Sequence, residues 1–274
     1  MEAHQLEQLI EAVLTSSKYK SASSDLVRYI GTQELAKGHN LKEAIKATKN
    51  KLHQVGGAYQ DSTPRYTAWL DKLRQASQAG NSNQLRDVCK WIMQYHSSTR
   101  ERLPVLEQFY STILAGLPPI NSVIDVACGL HPLAIPWMPL AEPTTYYVYD
   151  MYQDMTDFLN ECLPLLHVQG YAQACDVIHH CPTQKVDLAF LLKAIPCLEQ
   201  VDKSAGLRLL ETINADYLVV SFPTHSLGGN RKGMAANYEA RFYELVDGKP
   251  WSIRRFLFPG ELVFLIRKEG AEII

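Results

Sequence analysis

The chain has 274 residues, of which 46% are hydrophobic and 20% charged, and its formal net charge at pH 7 is −2. This composition is typical of a globular protein with a substantial core, and the length allows about two domains. No apolar run reaches the roughly 18 to 20 residues that cross a bilayer, and the first 20 residues resemble an amphipathic helix, not a signal peptide. We therefore expect a cytoplasmic protein with no membrane segment.

Six cysteines are scattered along the chain without a C-x-x-C pair, a pattern that favours reduced thiols over a disulfide framework. One local cluster, "CDVIHHC", brings Cys175, His179, His180 and Cys181 together and offers sulfur and imidazole ligands to a metal. A loop that leaves a strand explains the same cluster equally well. We expect no metal site.

The charges are distributed unevenly. Residues 1–105 carry 15 Lys and Arg against 10 Asp and Glu, whereas the rest of the chain carries 12 against 19. The basic excess lies mainly between Lys18 and Lys51. Such a patch is the electrostatic footprint of a phosphate-binding surface, although a solvated helix face produces the same pattern.

Up to about residue 115 the apolar residues recur three and four apart, which is the period of an amphipathic helix. Gly, Asn and Pro interrupt this pattern and separate the helices. Clear examples are "LKEAIKATKNKLHQV", "YTAWLDKLRQA" and "LRDVCKWIMQYH". The pattern predicts an all-helical N-terminal domain over residues 1–105.

After "AGLPPIN" short β-rich runs alternate with helical patterns, which favours a parallel α/β sheet. The last two runs are separated only by "FPGE", too short a link for a crossover helix, and they therefore predict an antiparallel hairpin. We expect a Rossmann-like class I methyltransferase sheet over residues 106–274. The predicted strands are "SVIDVAC", "TYYVYD", "GYAQACD", "VDLAFLLKA", "DYLVVSFP", "SIRRFLFP" and "ELVFLIRK".

Three aspartates fall at the ends of the first three predicted strands. Ligands of such sheets bind outside the carboxyl ends of the strands. Asp125 ends the first strand, and Gly129 in the following turn lets a ligand approach the backbone. Asp150 lies 21 residues beyond Gly129, a spacing that suits a carboxylate that binds ribose hydroxyls. Asp176 is placed to accept from the exocyclic amine of adenine.

The turn after the first strand lacks the glycines of a phosphate-binding loop. It has a single glycine where G-x-G-x-x-G is required, and no K-[ST] follows, so neither a dinucleotide loop nor a P-loop is present. Pro132, Pro136 and Pro139 predict a short, interrupted helix. S-adenosyl-L-methionine has no phosphates and fits this turn. Its carboxylate needs a cationic partner, for which Arg100 and Arg102 are both candidates.

Several long motifs in order carry a family resemblance: "KLHQVGGAY", "HSSTRERLPVLEQFY", "DVACGLHPLAIPWM", "LLKAIPCLEQ" and "SFPTHSLGGNRKGM". The chain resembles the aminoglycoside-resistance methyltransferases that modify N7 of guanine 1405 in 16S rRNA. The resemblance covers residues from about 40 to 267 and implies S-adenosyl-L-methionine as the cofactor. The sequence departs from the family pattern at Ala127, where glycine is common, and at His225 and Asn230.

The resemblance also implies roles for individual residues. Lys193 and Glu199 would lie at the target guanine as catalytic residues. The cofactor would be bound by seven residues: Arg102 at its carboxylate, Gly129 beneath it, Asp150 at the ribose, Asp176 at the adenine, Leu191 and Leu192 as pocket lining, and His53 from the helical domain.

The implied partner is 16S rRNA within the 30S subunit, bound by a monomeric enzyme. Extruding a base from folded RNA requires binding energy, which phosphate contacts supply. We expect Lys42, Lys46 and Lys49 to bind the RNA, with Arg231 and Lys232 of the "GGNRKGM" loop as a second contact.

Two other functions fit parts of the sequence. A non-catalytic ribosome-binding assembly protein would retain the fold without turnover, and a small-molecule methyltransferase would use the helical half as a lid. The series of strand-end carboxylates argues against the first, and the basic helical half argues against the second.

Overall fold

The helical half of the chain precedes all of the strands, as the sequence predicts. The structure is a computed structural model that describes residues 2–57, 59, 64–225 and 233–268. Its first helices are α1 (Glu2–Leu14), α2 (Ser24–Ala36), α3 (Leu41–Leu52), α4 (Tyr66–Gln78), α5 (Ser82–Met93), α6 (Ser97–Arg102) and α7 (Leu106–Ile113). A π-helical turn, His53–Gly57, continues α3, and a 3₁₀ turn, Leu103–Val105, joins α6 to α7.

Local capping explains where several of these helices begin. At α3, the Asn40 side chain accepts from the Glu43 backbone N–H, and the Glu43 carboxylate accepts from the Asn40 N–H, which forms a capping box. The side chain of Asn81 caps α5 in the same position. No helix in the described part of the chain is long and apolar enough to span a membrane.

Seven strands form one mixed sheet in the order β3-β2-β1-β4-β5-β7-β6. The strands are β1 (Ser122–Val126), β2 (Thr145–Asp150), β3 (Gln169–Ala174), β4 (Val186–Leu192), β5 (Ala215–Pro223), β6 (Trp251–Phe258) and β7 (Glu261–Lys268). The helices between them are α8 (Gln153–Leu165), α9 (Ile195–Leu198), α10 (Ala205–Thr212) and α11 (Met234–Val246). β1 and β4 lie at the centre, and their near-continuous apolar sequences match burial on both faces.

The pairing of the strands confirms the predicted fold class. β1 to β5 pair in parallel, whereas β7 runs antiparallel to both β5 and β6. The predicted terminal hairpin is therefore present. Because β7 is reversed, its first residue, Glu261, pairs with Pro223 at the end of β5. Glu261 thus lies at the edge of the sheet where the parallel strands end.

The helical half packs directly on the sheet half. Tyr66 and Trp69 of α4 contact Phe158 of α8, with ring centroids 5.0 and 5.9 Å apart. The Ser23 backbone N–H donates to the Met151 carbonyl at 2.7 Å, so the chain before α2 follows the loop after β2. One cluster of buried apolar residues runs through both halves. The division into domains at residues 105 and 106 stays a prediction.

Candidate active site

A cavity opens at the carboxyl edge of the sheet, beside the point where the strand order reverses between β1 and β4. It encloses about 700 Å³ together with its mouth. The loops after β1 to β4 form one side, and Leu26, Val55, Gly56 and His96 of the helical half form another. Cavities at this position are typical ligand sites in open α/β sheets.

Gly129 is required in the turn after β1 for two reasons. Its φ is +56°, a left-handed conformation that favours glycine. A Cβ atom at this position would also lie 2.6 Å from Cε1 of His96, whose ring covers the turn. The Gly129 N–H donates to Oδ2 of Asp150 at 2.9 Å, which joins the turn to the end of β2. The structure thus places Gly129 in the lining of the cavity, and its role in cofactor binding stays a prediction.

The segment after this turn forms a 3₁₀ helix, His131–Trp137, which confirms the predicted short and interrupted helix. His131 tethers it. Nδ1 of His131 lies 2.6 Å from Oδ2 of Asp125, and Nε2 lies 2.8 Å from the Tyr110 hydroxyl. The Tyr146 hydroxyl also donates to Oδ2 of Asp125 at 3.0 Å. Asp125 does not line the cavity, contrary to the strand-end pattern, because its side chain is committed to this buried tether.

Asp150 is a buried carboxylate that faces the cavity. Burial raises the pKa of its carboxyl to about 6, although the backbone N–H groups of Gly129, Met151 and Tyr152 act in the opposite direction. No cation pairs with Asp150 among the residues that the structure describes. The site therefore holds a carboxylate that gains from hydrogen-bond donors supplied by a ligand.

Asp176 also lines the cavity, and its position is fixed by its neighbours. Oδ1 accepts from the Ile178 backbone N–H at 3.0 Å, and Oδ2 lies 2.6 Å from Nδ1 of His179. The His179 ring packs on Tyr29 of α2, with centroids 3.8 Å apart. Asp176 is thus held from both halves of the molecule.

The "CDVIHHC" cluster has no metal-binding geometry in the described residues, where no group of three or more His, Cys, Asp or Glu side chains converges. His179 is engaged by Asp176 instead. Burial raises the pKa of the Cys175 and Cys181 thiols, which disfavours the thiolate form that binds metals.

Leu192 lines the cavity, but Leu191 does not. The two are consecutive in β4, and consecutive side chains of a strand point to opposite faces, so only one of them can reach a given side. His53 also lies outside the lining. It begins the π-helical turn with its side chain in solvent, where Nδ1 is 3.0 Å from Nζ of Lys18. Val55 and Gly56 of the same turn reach the cavity instead.

Arg102 is fully buried and does not line the cavity. Its Nε and Nη2 donate to Oε2 and Oε1 of Glu261 at 3.0 and 2.7 Å. Burial acts to raise the pKa of Glu261, but Arg102 and Lys193 lower it overall. The guanidinium also acts to lower the pKa of the Tyr110 hydroxyl, against the larger effect of burial. Arg102 therefore pairs with the Glu261 carboxylate, whereas the sequence predicts the carboxylate of the cofactor as its partner.

Lys193 lies at the mouth of β4 and lines the cavity, whereas Glu199 does not. Nζ of Lys193 donates to Oε2 of Glu101 at 2.6 Å. Glu199 follows α9 and accepts from Nη2 of Arg241 at 3.3 Å. The structure therefore brings Lys193, but not Glu199, to the candidate site.

The lining includes polar residues that the sequence analysis did not select, among them Tyr59, His96 and Ser98. All three lie within the motifs "KLHQVGGAY" and "HSSTRERLP" that carry the family resemblance. The motifs alone do not indicate which of their residues face a ligand. Burial and the cations Arg102 and Lys193 lower the pKa of His96 to about 4. Its imidazole is therefore neutral at pH 7.

Lys42, Lys46 and Lys49 lie on α3 at spacings of four and three residues, which places them on one face of the helix. Lys42 and Lys46 are exposed and Lys49 is partly exposed. Within the described ranges none of the three forms an ion pair. Arg231 and Lys232 lie outside the described residues.

The strand order, the reversed β7 and the two carboxylates at the ends of neighbouring strands define a Rossmann-like class I methyltransferase. The chain belongs to the ribosomal RNA methyltransferase (FmrO) family, whose pattern matches residues 15–265.

Relatives support this membership over nearly the whole chain. A 16S rRNA (guanine(1405)-N(7))-methyltransferase of Micromonospora rosea is 35% identical, with 96% of this chain and 97% of the relative covered. The enzyme of the same name from Serratia marcescens is 31% identical, with 95% and 98% covered.

Solved structures agree. The 16S rRNA methyltransferase RmtF, in complex with S-adenosyl-L-homocysteine, has a TM-score of 0.79 at 28% identity, with 96% of this chain and 98% of that chain covered. The 16S rRNA methylase RmtB has a TM-score of 0.78 at the same identity and coverage.

Proposed function

We propose that this chain transfers a methyl group from S-adenosyl-L-methionine to N7 of guanine 1405 in 16S rRNA. The observation that carries the proposal is a cavity with Asp150 and Asp176 in its lining, in a chain 35% identical over 96% of its length to an enzyme named for this reaction. We further propose that methylation of this base, which lies in the decoding site, confers aminoglycoside resistance.

The cavity suits this cofactor. Asp150 offers carboxylate oxygens to the ribose hydroxyls, and Ile178 and Leu192 offer apolar walls to an adenine ring. The buried Tyr152 hydroxyl has no hydrogen-bond partner within the described residues, and it too lines the cavity. Lys193 is the only Lys or Arg among the described lining residues, so this lining offers a phosphate group a single cationic side chain. When bound, S-adenosyl-L-methionine supplies an electrophilic methyl group on a sulfonium sulfur.

The residues around the cavity position the reaction without a general base. N7 of guanine carries a free lone pair, so no proton has to leave before methyl transfer. The neutral His96 places a polar group in the cavity without adding positive charge near a sulfonium. Lys193 binds the target nucleotide from the end of β4, and catalysis comes mainly from this positioning. We further propose that Glu199, which lies outside the cavity, offsets the positive charge that develops on the guanine base.

The exposed lysines of α3 form the RNA-docking surface in this proposal. Each phosphate contact adds roughly 0.7 to 0.9 to the slope of log affinity against log salt. Replacing Lys42, Lys46 and Lys49 with Gln is expected to weaken binding of 30S subunits and to reduce this slope by about 2 to 3.

The matched control for this surface is the variant Lys185→Gln/Lys249→Gln. Lys185 precedes β4 and Lys249 precedes β6, at the edge of the sheet where the parallel strands begin. They pair with Asp216 and Glu211, respectively. The control should retain the wild-type slope, and cofactor affinity should be unchanged in both variants. An unchanged slope in the triple variant would remove α3 from the docking surface.

The preferred substrate in this proposal is the assembled 30S subunit, because proteins recognise folded RNA mainly through its shape. The enzyme acts as a monomer in the cytoplasm, where this substrate is found, and uses no metal. Arg231 and Lys232 would add a second RNA contact.

The direct test is to incubate 30S subunits with the protein and labelled cofactor, and to map the methyl group by borohydride and aniline cleavage. We expect cleavage at guanine 1405 and loss of labelling with Asp150→Asn. Binding to 30S subunits without methylation would indicate an assembly protein. Label on a small molecule alone would indicate a different methyltransferase.

A further inference from the structure

We propose that Glu101 is a positioning residue that sets the location of the Lys193 ammonium at the mouth of the cavity. The inference rests on the proposed function, in which Lys193 binds the target nucleotide. Glu101 does not line the cavity. It acts through Lys193, from the helical half of the molecule.

The backbone of Lys193 is anchored in an unusual conformation. Its φ is +56°, which non-glycine residues rarely adopt and which requires support from the surrounding structure. That support comes from Ser221 in β5, whose carbonyl and hydroxyl oxygens accept from the Lys193 N–H at 3.0 and 3.1 Å. The side chain therefore starts from a fixed point at the end of β4.

Two carboxylates lie within reach of the Lys193 ammonium, and they are not equivalent. Oε2 of Glu101 is 2.6 Å from Nζ, whereas Oε2 of Glu261 is 3.7 Å away. Glu261 already accepts two hydrogen bonds from Arg102 and one from the Ser221 hydroxyl at 2.5 Å. Glu101 is therefore the partner whose position decides where the ammonium lies.

Glu101 is itself well placed to hold this position. It belongs to α6, and the next residue, Arg102, fixes the helix to β7 through Glu261. The Glu101 side chain is 21% exposed, while Lys193 is only 5% exposed. The Glu101 carboxylate is thus partly exposed to solvent, and it holds the buried Lys193 ammonium where the cavity opens to solvent. Its second oxygen lies 3.8 Å from Nε2 of His225, which follows β5.

The test compares Glu101→Gln with Glu161→Gln. Glu161 is a matched control, because it also forms an ion pair between the two halves, with Arg74 at 2.8 Å. It lies on α8 and does not line the cavity. We expect Glu101→Gln to lower kcat for methylation of 30S subunits at least about tenfold, since small displacements of a positioning group are costly. KM for the subunits and the cofactor Kd should change less than about threefold, and Glu161→Gln should behave as wild type.

A double variant tests whether Glu101 acts through Lys193. If it does, Glu101→Gln/Lys193→Gln will be no slower than Lys193→Gln alone, because the two residues form one unit. Should the double variant lose the full product of both effects, or should Glu101→Gln alone keep kcat within about threefold of wild type, the inference is overturned.

A second measurement does not depend on activity. The rate at which acetic anhydride acetylates Nζ of Lys193, read by peptide mass spectrometry, should rise at least about threefold in Glu101→Gln, because the charge-assisted hydrogen bond that occupies Nζ is weakened, and should stay constant in Glu161→Gln. An unchanged rate overturns the inference even if Lys193→Gln is inactive. If wild-type protein fails to methylate guanine 1405, the proposed function fails, while the acetylation rates still report on the Glu101–Lys193 contact.

Discussion

Lowering the pH should weaken cofactor binding through protonation of Asp150. The pKa of this buried carboxyl is raised to about 6, so the carboxylate is present at pH 7 and protonated at pH 5. Ribose hydroxyls donate to the charged form more strongly than to the neutral acid. The affinity for the cofactor should therefore be highest above pH 7 and should fall progressively as the pH drops through 6.

The size of the effect follows from this pKa. If only the carboxylate form binds, the apparent Kd at pH 5 is about tenfold higher than at pH 8, which corresponds to about 1.4 kcal/mol. Asp150→Asn removes the charge and should raise Kd about ten- to hundredfold at pH 8, because hydrogen bonds to charged groups contribute about 1.5 to 3 kcal/mol. The variant should also lose the pH dependence, since Asn does not titrate.

Isothermal titration with S-adenosyl-L-homocysteine at pH 5, 6, 7 and 8 measures both effects, with circular dichroism to verify that the protein stays folded. His96 does not interfere, because its pKa of about 4 lies below this range. The variant also serves as the control for any titration of the ligand. A flat pH profile in the wild-type protein, or an equal slope in Asp150→Asn, would refute the reasoning.

Three further changes probe the turn and the buried ion pair. Ala127 has φ of +51°, so Ala127→Gly should stabilise the protein by up to about 1 kcal/mol in urea unfolding; destabilisation would contradict the strain argument. Gly129→Ala places a methyl group against His96 and should raise the cofactor Kd at least about tenfold, and normal binding would show that His96 moves freely. Glu261→Gln leaves the buried Arg102 without its carboxylate partner and should lower the free energy of unfolding by about 3 to 5 kcal/mol, whereas a loss under about 1 kcal/mol would show that the ion pair contributes little.

The fold was predictable because its elements are local in sequence. The runs "VIDV" and "DLAFLL" are apolar except for one aspartate each, which is typical of central parallel strands, and the short link at Pro259 and Gly260 leaves room only for a hairpin. The prolines after Gly129 restrict the following segment to a short helix. Each of these inferences depends on neighbouring residues alone.

The site was only partly predictable, because side-chain direction and long-range partners are not encoded locally. Asp150 and Asp176 were found since strand ends converge at one edge of a parallel sheet. Asp125 occupies the same kind of position, yet it turns to His131. The pairing of Arg102 with Glu261 joins residues 159 positions apart, and no spacing rule anticipates it.

One chain of buried polar contacts explains how a turn with a single glycine is held without a long helix behind it. His131 of the turn contacts Asp125 on one side and the Tyr110 hydroxyl on the other. Tyr110 interacts electrostatically with Arg102, which is held by Glu261 at the start of β7. Buried polar groups are costly when unpaired, so each contact constrains the next. The turn beneath the candidate cofactor is therefore positioned by α6 and α7 of the helical half, and a change at Tyr110 or Arg102 should reach the cofactor site without touching it.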